Sequence, residues 1–177
     1  MKKLFLMAAM AGALVNACGA QSVSAVPKFD GLGRHHHPVT TKWKLAQRYF
    51  DQGLTLCFNF NHAEAIRSFE AAAMVDTNCA MAWWGVAFAH GPNINAPMFD
   101  EAVPKAWEAL QKAIALKDKA SAKEQDYIDA LAKRYAKEPL TNRAHLDAAF
   151  ADALQHLGEP LCFMAMDDFN HYGSSVA

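Results

Sequence analysis

Between Ala46 and Ala89 the apolar residues fall into helical stripes separated by short polar breaks. Ala46, Tyr49, Phe50, Gly53, Leu54 and Cys57 share one helix face, and Ala65, Ile66, Phe69, Ala72 and Ala73 share the next. Gly53 inside a helix costs about 1 kcal/mol relative to alanine, so a close approach by a partner helix is expected there. Asn61 followed by Glu64 predicts a capping box opening the second helix. The third helix, Asn78 to Ala89, is apolar almost all round and calls for neighbours on more than one side. A fourth is predicted over Asp100–Leu116, with Pro104 confined to its first turn. Ser121 and Glu124 form a second capping box, opening a helix to about Ala136 with Tyr127, Ile128, Leu131 and Tyr135 inward. Thr141 or Asn142 starts a last helix, with Leu146, Phe150 and Leu154 on its apolar face, stopped by Gly158 and Pro160.

The first stripes repeat. Ala46 answers to Ala80, Tyr49 to Trp83 and Gly53 to Ala87, each 34 residues apart, with Ala65, Phe69 and Ala72 between them and Asp76 before the second copy. In this pattern the chain resembles the tetratricopeptide-repeat (TPR) family, and most closely exported or envelope-anchored bacterial members; the match covers roughly residues 42–117. The resemblance implies an all-α fold: a right-handed solenoid of antiparallel helix pairs, two clear repeats followed by a divergent pair. Ala106, Leu110 and Ala113 return 41 rather than 34 residues after Ala65, Phe69 and Ala72, so seven residues are inserted. They fall in the turn-rich stretch His90 to Met98, whose asparagines can bond their own backbone. Such an insertion can be a wide connection between helices or a loop that touches a ligand or partner.

Outside the repeats, residues 1–25 read as an export signal: Lys2 and Lys3, an apolar run from Leu4 to Val15, and Val23-Ser24-Ala25 as a small-residue cleavage site. Leu14 to Gly19 also resembles a lipobox in which Cys18 would be lipidated, with Asn16 departing from that pattern. The expected location is therefore the periplasm, or the envelope membrane through that anchor. Residues 26–41 form a His-rich arm, 42–158 the helical domain and 159–177 a tail with no helical period, expected to be poorly ordered. The 177 residues, 53% hydrophobic and 20% charged with a net charge of −1, fit one compact domain and exclude a basic nucleic-acid binder. Cys57, Cys79 and Cys162 give no paired framework; a Cys57–Cys79 bridge is conceivable, and a buried free thiol is the commoner state at Cys57.

No phosphate loop, nucleophile elbow, zinc-binding HExxH or Cys-x-x-Cys motif is present, so no catalytic residue is assigned. The resemblance implies a scaffold or adaptor that binds a peptide or protein partner in a groove lined by Phe50, Leu54, Cys57, Met81, Trp84 and Phe88. The chaperone-tail clamp of some members needs Lys and Asn where Phe50 and Leu54 stand, so that function is not expected. Phe50 and Trp84 can instead be core, packed against the arm or the tail lying in the groove. The rival reading takes the consecutive His35, His36 and His37 as zinc or copper ligands, completed by His62 or His90. Adjacent side chains of an extended segment face opposite ways, so at most two of the three can share an ion. Homo-oligomerisation stays open.

Overall fold

The computed structural model describes residues 26–93 and 95–157; the signal segment with Cys18, and the tail with Cys162, lie outside them. Among the described residues the fold is all-α apart from one isolated backbone bridge between Asn93 and Ala96. The helices are α1 (Lys44–Phe58), α2 (His62–Val75), α3 (Ala80–His90), α4 (Val103–Ala115), α5 (Ala122–Ala132) and α6 (Ala144–Leu157). Each packs on the next in the chain, most closely α1 on α2 and α3 on α4. Contacts also join α1 to α3 and α3 to α5.

Phe69 on α2 is the hub of the core. A Cβ added at Gly53 of α1 would stand 2.6 Å from its ring, and one added at Gly85 of α3 would also collide with it. Both glycines therefore serve as flat landing places for one aromatic ring, the close approach that Gly53 foretold. Phe50, one turn before Gly53 on α1, packs beside it, its ring 5.4 Å from that of Phe69.

The helix ends follow local chemistry. Ser121 caps α5 through the expected box with Glu124. Asn61 does not cap α2. Instead α1 closes in a Schellman turn, with Phe60 N–H donating to Cys57 O (3.0 Å) and Asn61 N–H to Leu56 O (2.9 Å). That turn puts Phe60 at φ 59° and holds Asn61 at ψ 63°, away from the extended geometry a capping side chain needs. Glu64, freed from the box, pairs with Arg67 at 2.9 Å. Pro104 sits in the first turn of α4, as expected, after a 3-10 turn over Asp100–Ala102.

Helix α5 stops at Ala132, short of Ala136, because the chain unwinds to turn Arg134 and Tyr135 inward. Tyr135 Oη donates to Ala87 O (2.8 Å) and Arg134 Nη2 to Pro92 O (2.9 Å), which pins the inserted loop. Arg143 grips Asp147 with two nitrogens (Nε 3.0 Å, Nη2 3.1 Å) and reaches Arg134 O, joining α6 to α5. Within the loop, Asn93 Oδ1 accepts from Asn95 N–H, the self-bonding expected of its asparagines. Cys57 and Cys79 are both free and buried, so the conceivable bridge between them is not formed. Burial pushes their thiols up to about 12 and about 11 respectively, while the charge of Arg134 works the other way on Cys57.

Candidate functional site

The arm runs from Val26 to Thr41 without regular structure and lies against α1, α5 and the end of α2. Extended backbone has no internal partners for its N–H and C=O groups, so the helices must supply them. Two glutamines on α1 do this in the same way. Gln52 Nε2 donates to Pro27 O (3.0 Å) while its Oε1 accepts from Phe29 N–H (2.9 Å). Gln47 Nε2 donates to His37 O (2.8 Å) while its Oε1 accepts from Val39 N–H (2.9 Å). Each side-chain amide thus bonds a carbonyl and the N–H two residues on. Gln52 is itself buried and held by Ser68 Oγ (3.0 Å).

Tyr49 Oη donates to Val26 O (3.0 Å), and carboxylates hold most of the rest. Asp51 accepts from His37 N–H (3.0 Å) and lies 2.8 Å from His36 Nδ1. Glu124 accepts from both the N–H (2.6 Å) and the hydroxyl of Thr40, and Asp76 accepts from Thr41 Oγ1 (2.6 Å). Burial alone would disfavour a charged Glu124, but the bonds from Thr40 and Ser121 outweigh it and hold its carboxyl below the usual range. Glu124 therefore caps α5 and anchors the arm with one carboxylate.

The six residues expected to line an open apolar groove are not open. Phe50 and Leu54 are 0% exposed, Met81 1%, Trp84 3% and Cys57 5%; only Phe88 is half-buried. The covering is shared by arm and helix. The His37 ring lies 6.2 Å from that of Phe50 and 6.1 Å from that of Tyr127 on α5. Trp84 stacks on Phe88 at 5.0 Å and donates its indole N–H to Tyr127 O (3.0 Å).

The three arm imidazoles have separate surroundings. His35 meets the edge of Phe58, His36 reaches Asp51, and His37 turns to Phe50 and Tyr127. His90 ends α3, half-buried, its imidazole held below its ordinary value by burial and then by Lys105. Among the described residues no three His, Cys, Asp or Glu side chains converge on a point that could hold a metal ion.

A grouping that sequence spacing did not reveal is Cys57, His62 and Asn93. Cys57 Sγ is 3.5 Å from His62 Nδ1, and His62 Nε2 is 3.1 Å from Asn93 Nδ2. Asn93 Oδ1 is already taken by Asn95 N–H, so Nδ2 donates to His62 and the imidazole proton sits on Nδ1, towards the sulfur. A nucleophile, base and orienting amide occur in this order in thiol hydrolases. Here the electrostatics run the opposite way: burial raises the thiol and lowers the imidazole, and the sulfur lies near the C-terminal end of α1. Burial thus favours the uncharged thiol and imidazole, and the trio ties α1, α2 and the inserted loop together.

The site is therefore a helical surface that grips an extended polypeptide by its main chain. No family model matches the chain, and neither a curated protein nor a solved structure matches it significantly.

Proposed function

We propose that the chain is a TPR-type solenoid, two regular helix pairs and a divergent third, serving as a non-catalytic scaffold in the bacterial envelope. Its inner face, formed by the first helix of each pair, holds extended polypeptide. The contacts of α1 with α3 and of α3 with α5 support the stacking, because the first helices of successive repeats meet in such arrays. The observation that carries the function is the matched pair Gln47 and Gln52, each reading a carbonyl and the N–H two residues on. Main-chain recognition of this kind is indifferent to most side chains and suits a peptide partner.

The test is biolayer interferometry against a panel of unstructured decapeptides, using the full chain with Thr40→Ala to loosen the arm that occupies the two glutamines. Binding to some of them, weakened at least tenfold by Gln47→Ala with Gln52→Ala, is expected; a lost pair of hydrogen bonds corresponds to about 1–3 kcal/mol. Binding to none, or binding that survives both substitutions, overturns the reading.

A further inference from the structure

The arm is held by two kinds of contact, and they are unevenly spread. Its first part, around Pro27 and Phe29, is read by Gln52 through the main chain. Between His36 and Thr41 the side chains are read as well. Asp51 meets the His36 ring, Phe50 and Tyr127 flank the His37 ring, Glu124 takes the Thr40 hydroxyl and Asp76 takes that of Thr41. Pro38 fits without loss. The groups Gln47 uses are the His37 carbonyl and the Val39 N–H on either side of it, so the missing proline N–H leaves nothing unpaired.

The same segment is weakly buried. Arg34, His35, His36, Pro38 and Thr40 are exposed, and His37, Val39 and Thr41 only half-buried. Between His36 and Thr41 the arm is thus held mainly by hydrogen bonds, each worth about 0.5–1.5 kcal/mol net, with Val39 as its aliphatic contact with the core. Segments held this way open locally at low cost. Their advantage over a free peptide is the effective concentration of a tethered ligand, of millimolar order.

We propose that this surface recognises a partner's extended segment of the form His–planar ring–Pro–x–Thr–Thr, and that the arm is a built-in competitor which that segment displaces. The proposal rests on the peptide-holding function above and adds to it the chemistry of the ligand and a gate. The hydroxyls of two successive threonines answer two carboxylates, Glu124 and Asp76, on different elements. The ring after the first histidine fills the place in front of Phe50, and the proline keeps the segment extended without needing a donor. A partner presenting these groups remakes every bond the arm gives up.

The experiment uses the full chain with His37→Ala and Thr40→Ala, which loosens the arm and leaves the helices untouched. A fluorescein-labelled peptide of sequence RHHHPVTTKW and a permuted peptide of the same composition are titrated by anisotropy. The native-order peptide is expected to bind the loosened chain at least tenfold more tightly than the wild type, and to lose that binding when Gln47→Ala is added. Equal binding of both peptides leaves main-chain holding intact and overturns the motif. Binding of neither overturns both. A wild-type chain that self-associates through Gln47 while ignoring the peptide makes a second copy the occupant and also overturns the proposal. Should the loosened chain fail to fold, hydrogen exchange of the Val39 and Thr40 amides in the wild type decides instead. Faster exchange under excess native-order peptide, and none under the permuted one, is the expected result; no change with either overturns it.

Discussion

Phe69 rests on two glycines contributed by different helices, and its ring comes closer to their backbones than any side chain there would allow. Gly53→Ala puts a methyl group 2.6 Å from the ring, so either Phe69 leaves its place or α1 moves away from α2. The expected outcome is a loss of about 1–3 kcal/mol despite alanine's better helix propensity, read from a urea melt. A gain in stability would show that the ring yields freely and that Gly53 has no packing role. Gly53 was legible from sequence because a helix-breaking residue on an apolar stripe needs a reason. Gly85 was not, because the repeat spacing pairs Gly53 with Ala87 and hides a glycine two residues earlier.

At the scale of the helices, the ends depart most from what the pattern implies. The stripes located each of the six helices among the described residues, since apolar periodicity records which face is buried. Ends depend on single backbone geometries, and there the chain used a Schellman turn at Phe60 where Asn61 pointed to a capping box. Phe60 is half-exposed and carries the left-handed conformation without being glycine, at a cost of about 1–2 kcal/mol. Phe60→Gly should relieve that strain and raise stability by up to about 1 kcal/mol, offset in part by the lost contact with His62. A thermal melt checks this; destabilisation beyond about 1 kcal/mol would mean that the ring's packing outweighs the backbone cost. The unwinding of α5 after Ala132 was equally hidden, because Arg134 and Asp147 are charged residues that no apolar pattern marks as core.

For the molecule as a whole, the arm and the helical body are joined by carboxylates, so their union depends on pH. Glu124 ionises more readily when Thr40 and Ser121 bond to it than it does in an unfolded chain. Its contribution is therefore complete above the unfolded value of about 4.3 and is lost as pH falls through the lower, folded value. The Thr40 amide resonance should move towards a free-chain position over that acid range, and Glu124→Gln should abolish the movement; an unchanged Thr40 resonance in acid would detach Glu124 from the latch. The sequence could mark residues 26–41 as a His-rich arm but could not show where it lies. The Thr40 and Glu124 partners are 84 positions apart, and no periodicity links them. That separation also orders events in time. During synthesis at about 5–20 residues per second, Thr40 emerges roughly 4–17 s before Glu124 exists to receive it. Until then the arm has Gln47, Asp51, Gln52 and Asp76 to hold it, and the Thr40 amide and hydroxyl wait for their carboxylate. The arm is thus fastened in stages, Thr40 to Glu124 long after its main chain has met Gln47 and Gln52.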